Sequence, residues 1–104
     1  MTVVYEYNVS DGWTLLGNPL YGEAGGDNCG YDVKLNDEGD IVAVSLPGND
    51  TTIQNAGMVK VFQYDINGDW QQLGDDILGD AINDYLASGL DLNASGTRLV
   101  LGAT

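Results

Sequence analysis

The side chains best suited to chemistry in this sequence are carboxylates: Asp and Glu number 16, against 3 Lys and Arg and no His. Carboxylates gathered on a turn suit a hard cation such as calcium, which takes roughly six to eight oxygen ligands. Asp65-x-Asn67-Gly68-Asp69 supplies such a turn, so Asp65, Asn67 and Asp69 are the candidate metal ligands, on a loop shorter than an EF-hand. Asp75, Asp76, Asp80 and Asp84 form a second acidic cluster. The same residues equally describe a solvated acidic rim, because Asp favours turns for its own local hydrogen bonds. The expectation is therefore no cofactor, with calcium held open. Two carboxylates about 5 to 9.5 Å apart in a cleft could also hydrolyse a glycoside, but nothing marks one acid as buried beside another. The lack of histidine removes the commonest general base and every Ser/Cys-His triad. Gly25-Gly26 lacks the Lys and the following helix of a phosphate loop. The chain is expected not to be an enzyme. Tyr5, Tyr7, Trp13, Phe62, Tyr64 and Trp70 could stack sugars, yet their recurrence at equivalent positions favours packing between repeated units.

A formal charge of −13 repels a nucleic-acid backbone and an anionic membrane surface, so neither is an expected partner. No run approaches the roughly 20 apolar residues of a membrane helix. Cys29 is the sole cysteine, which excludes an intrachain disulfide and fits a small buried side chain. Met1–Glu6 carries no basic and apolar stretch of a secretory signal. Asn8, Asn49 and Asn93 each open an N-x-S/T acceptor, where about one would arise by chance. All three fall in expected turns, where a glycan would sit on a secreted protein.

The elements that must position these residues come in two copies. At an offset of 57 residues Val4-Tyr5-Glu6-Tyr7 lies over Val61-Phe62-Gln63-Tyr64, and Trp13…Leu16-Gly17 over Trp70…Leu73-Gly74. The register persists without a gap through Leu35-Asn36 over Leu92-Asn93 and Gly39 over Gly96, with 11 identities in the 44 pairs from Val4 to Pro47. Each copy reads as four strands. The β-branched and aromatic run Gly57–Tyr64, matched by Thr2–Tyr7, ends in a turn. A second strand opens at Trp70 or Trp13. A third, Tyr31–Leu35 or Ser88–Leu92, alternates. A fourth, Ile41–Val44 or Leu99–Leu101, is a continuous apolar run that needs both faces covered. Asn36–Gly39 and Asn93–Gly96 are expected as tight turns with glycine at positive φ. The expected core is Val4, Val33, Leu35, Val42, Val44, Val59, Val61, Leu90, Leu92, Leu99 and Leu101.

No stretch has a helical period, so the fold class is all-β: antiparallel four-stranded units stacked as β-propeller blades, or else the same strands closed into an eight-stranded sandwich or barrel. Gly57-x-Val59-x-Val61-Phe62-x-Tyr64, Trp70-x-x-Leu73-Gly74-x-Asp76-Ile77, Gly26-Asp27-x-x-Gly30-Tyr31-x-Val33 and Val42–Asp50 together resemble the FG-GAP repeat of integrin-alpha-type propellers and of microbial and algal surface proteins. The resemblance implies propeller architecture first, then a non-enzymatic structural or cell-adhesion role at an extracellular or cell-surface location. The calcium loop of the integrin form, a D-x-D-x-D-G run, is replaced here by Asn36-Asp37-Glu38-Gly39-Asp40 and Asn93-Ala94-Ser95-Gly96-Thr97, the second of which retains no carboxylate.

By the family's strand order, residues 1–104 form a single repeat module of two blade equivalents with half-blades at both ends. Residues 1–29 are the outer half-blade, 30–83 a complete blade and 84–104 the inner half-blade. Half-blades left alone expose apolar faces and strand edges. The expected partners are therefore further copies in a head-to-tail homo-oligomer, or flanking blades of a longer chain.

Overall fold

The computed structural model describes residues 1–20, 32–46, 57–78 and 89–102. These residues form nine strands and no helix: β1 (Tyr5–Asn8), β2 (Gly12–Leu15), β3 (Val33–Leu35), β4 (Ile41–Leu46), β5 (Met58–Tyr64), β6 (Trp70–Gln72), β7 (Ile77–Leu78), β8 (Gly89–Leu92) and β9 (Leu99–Gly102). Every pairing is antiparallel. The chain is all-β, as its β-branched runs and glycine-punctuated turns require. The strands make three sheets: an N-terminal hairpin β1-β2, a central sheet β3-β4-β5-β6 with β7 also on β5, and a C-terminal hairpin β8-β9. Among the described residues no strand pairing joins these sheets into a closed barrel.

The 57-residue repeat recurs as geometry. Tyr7 faces Trp13 with ring centroids 5.3 Å apart at 61°, and Tyr64 faces Trp70 at 5.3 Å and 64°. Gly17 and Gly74 take φ of 73° and 76°, and Gly39 and Gly96 both take 75°. The outer strand of the central sheet contains a bulge not foreseen from sequence. Phe62 lies opposite Gln72 while Val59 lies opposite Ile77, so five steps on one strand match three on the other. β7 is thus the continuation of β6 beyond two extra residues, with Gly74 supplying the positive φ within them. The N-terminal copy does the same: Tyr5 pairs with Leu15, and Thr2 bridges Leu20.

Strand register sorts the central sheet into two faces, since alternate side chains point to opposite sides. Val42, Val44, Leu46, Met58 and Trp70 share the first face and form a buried cluster with Leu20, against which Val4 and Leu16 pack. Ala43 and Val59 share the second, and Leu90 closes over them with Leu92, Leu99 and Leu101. The N-terminal hairpin therefore covers one face and the C-terminal hairpin the other. This explains why all six residues of β4 are buried. Val33 and Leu35, expected in the core, are instead 41% and 48% exposed. They pair with Val44 and Val42 on the first face, at the inner edge that β1-β2 does not reach.

Candidate functional site

The acidic turn Asp65–Asp69 joins β5 to β6. The Asp65 carboxylate accepts hydrogen bonds at Oδ1 from the backbone N–H groups of Asn67 (2.9 Å) and Asp69 (3.2 Å). Its own N–H donates to the Asp69 carbonyl at 2.8 Å. Asp65 Oδ1 thus shapes its own turn, the local bonding that makes Asp a turn residue. Asn8 does the same in the first copy, accepting from Ser10 and Asp11 at 2.9 and 3.0 Å. Among the described residues no three His, Cys, Asp or Glu side chains converge. Of the second acidic cluster, Asp80 and Asp84 lie outside the described residues, as do Asn49 and Cys29. Asp76 meets the Lys60 ammonium at 2.9 Å and accepts from Gln72. The Lys60 hydrogen bond, helped by that from Gln72 and by the ammonium charge and opposed by partial burial, holds its carboxyl below the ordinary carboxylate range. That contribution is complete at neutral pH and is lost as acid titrates Asp76 through its depressed value.

The turns Asn36–Asp40 and Asn93–Thr97 each close on an asparagine amide. Asn36 Oδ1 accepts from the backbone N–H groups of Asp40 and Ile41, both at 3.0 Å, and its Nδ2 donates to Asp40 Oδ1 at 2.8 Å. Asn93 Oδ1 accepts from Thr97 and Arg98, both at 2.9 Å. The two motifs match in bonding and differ in burial: Asn36 is buried and Asn93 exposed. Asn36→Ala is therefore expected to cost about 2–3 kcal/mol in chemical denaturation and Asn93→Ala about 1 kcal/mol or less, because only the first strands donors away from water.

Asp32 is a residue that sequence reading missed. Its N–H donates to Ser45 Oγ at 2.7 Å, and its Oδ2 accepts from the Leu90 N–H at 3.1 Å. It therefore stitches the inner edge of the central sheet to the C-terminal hairpin. Its counterpart in the repeat is Gly89, so the duplication carried no signal for it. A second stitch runs from the Asp37 N–H to the Ala94 carbonyl at 3.1 Å.

The aromatic residues divide by copy. Trp70 is 3% exposed, and Trp13 is 69% exposed. The Trp70 indole donates from Nε1 to the Leu16 carbonyl and its backbone N–H donates to Asn18 Oδ1, both at 2.9 Å. Tyr5 and Tyr7 lie on the Trp13 side of the N-terminal hairpin and are 56% and 57% exposed. Beside this hairpin a groove of about 280 Å³ runs between β1 and β3, lined by Val3, Val4, Tyr5, Val33, Leu35 and Val42 among others. Of the sequon asparagines, Asn8 and Asn93 stand exposed at turns. Comparison with protein families, curated proteins and solved structures finds no match to this chain.

Proposed function

We propose that this chain is a non-enzymatic structural or adhesive β-propeller repeat module of an extracellular or cell-surface protein, which works by stacking blades. The observation that carries this reading is the coverage of the central sheet on both faces by hairpins that repeat its own two halves. β1-β2 is the sequence counterpart of β5-β6, and β8-β9 of β3-β4. The hairpins then stand as the outer half of a preceding blade, residues 1–29, and the inner half of a following one, 84–104. Residues 30–83 form the whole blade between them. The apolar residues serve contacts between units, as blades packed around a propeller axis require. Exposed sequon asparagines at Asn8 and Asn93 fit a surface location.

A ligand-binding module is the second reading, and the exposed cluster of Tyr5, Tyr7 and Trp13 favours its carbohydrate form, since such rings stack on sugar faces. Calorimetric titration of the chelator-stripped chain at low salt, with calcium chloride and separately with neutral oligosaccharides, separates the two. The structural reading expects flat traces. A saturable heat with either titrant, and a shift of Trp13 fluorescence with the sugars, supports the binding module instead.

A further inference from the structure

We infer that β8-β9 of one copy completes the blade begun by β1-β2 of a second copy, with β9 adding in a defined register to the edge of β1 that no described strand occupies. This rests on the blade reading above. The register follows from the repeat: β4 pairs with β5 as Ile41↔Gln63, Ala43↔Val61 and Ser45↔Val59. Moving β4 forward and β5 back by 57 residues places Arg98 opposite Glu6, Val100 opposite Val4 and Gly102 opposite Thr2. The Tyr64 N–H donates to the Asp40 carbonyl at 2.8 Å. Ile41 and Gln63, one step along, therefore form the closer, non-hydrogen-bonded kind of pair. Arg98 and Glu6 inherit that position, so the chain's one arginine meets an acid across the joint.

The exposed apolar side chains fit the same geometry. Val100 is 66% exposed on the side of β9 turned away from Leu99 and Leu101. It is the counterpart of Ala43, which packs with Leu90, itself the counterpart of Val33. Val100 of the first copy thus enters the groove of the second and covers Val33 and Leu35. At the outer end, Leu73, Gly74 and Asp75 of the first copy correspond to Leu16, Gly17 and Asn18. They meet Trp13 of the second copy as those three residues meet Trp70. Leu73 is 41% exposed, and nothing stands within 4 Å of a side chain built at Gly74, which leaves the place for an indole open.

The contact is heterologous, so it closes a ring or grows a filament. A charge of −13 on each copy opposes association at low salt, so added salt strengthens it.

Sedimentation velocity of the whole chain over a concentration series, at low and moderate salt, tests the proposal. Species at whole multiples of 11.0 kDa are expected, with more assembly at moderate salt. Arg98→Glu and Glu6→Arg should each weaken association by up to about tenfold, and the double variant should restore it. Val100→Asp should weaken it by on the order of 100-fold, because it places a lone charge in an apolar groove. All three residues are exposed in the single chain, so circular dichroism should be unchanged. A folded 11.0 kDa monomer throughout the series overturns the pairing of copies and leaves the blade reading standing, with other chain segments as the cover. An oligomer indifferent to all these substitutions overturns the register. A helical or unfolded spectrum overturns the blade reading itself.

Discussion

Trp70→Ala is expected to remove about 3–5 kcal/mol of unfolding free energy, a large part of what a domain this size possesses. The indole fills the joint between the N-terminal hairpin and the central sheet at 3% exposure. Its edge-to-face contact with Tyr64 and its bond to the Leu16 carbonyl are lost together. The carbonyl then has no indole donor, and a cavity opens beneath Gly17. Gly17 is there because a side chain would collide: a Cβ at that position would lie 2.7 Å from the indole Cδ1, at a φ of +73°. Trp13→Ala removes the same residue from the same place in the repeat, yet in the single chain, where Trp13 is 69% exposed, it is expected to change stability by about 0.5 kcal/mol or less. Urea denaturation of both variants at low protein concentration checks the contrast. Equal losses would mean that the hairpin does not sit on the central sheet.

Gly96→Ala tests the opposite face. Its φ of +75° is shared with Gly39, so alanine at either position incurs the left-handed backbone penalty of about 1–2 kcal/mol. Their surroundings differ. A Cβ at Gly96 would lie 2.7 Å from Ile41 Cδ1 and 3.0 Å from Ile41 Cβ, whereas at Gly39 the nearest atom is Leu35 Cδ2 at 3.8 Å. The Ile41 Cβ is fixed by the β4 backbone and cannot swing aside. Gly96→Ala is therefore expected to cost about 1–3 kcal/mol beyond Gly39→Ala, the usual range for overpacking. The excess should appear as increased amide exchange in β8-β9, because the C-terminal hairpin must lift from the sheet. Equal costs would show that the turn at Gly96 does not press on Ile41.

Those two glycines also show how far the sequence could be read. Gly39 and Gly96 are equivalent in the repeat, and their turn conformation was legible from Asn-x-x-Gly alone. Which of them touches a neighbour was not, since it depends on the unit lying beside each. Val33 and Leu35 failed for the same reason: alternation places them on an apolar face, but β1-β2 covers only the outer part of it. β7 was hidden because a two-residue bulge interrupts the alternation between Gln72 and Ile77. Among the candidate ligands, Asp65 proves to shape its own turn, its Oδ1 accepting from the Asn67 and Asp69 amides. Turn-forming and cation-binding carboxylates draw on the same residue types, so spacing alone does not separate them. Asp32 could be found only once the sheet edge and the Leu90 amide were brought together in space.

The central claim is that one four-stranded unit is covered on both faces, each time by a hairpin that repeats half of it. A nuclear Overhauser spectrum of the chain at a concentration where it is monomeric addresses this most directly. Contacts from the Trp70 indole to Leu16 and Gly17, together with contacts from the Ala43 methyl group to Leu90 and from Ile41 to Gly96, are the predicted result. If Trp70 and Ala43 contacted only their own sheet while β1-β2 and β8-β9 of the same molecule contacted each other, the strands would be closing on themselves and the account would be wrong.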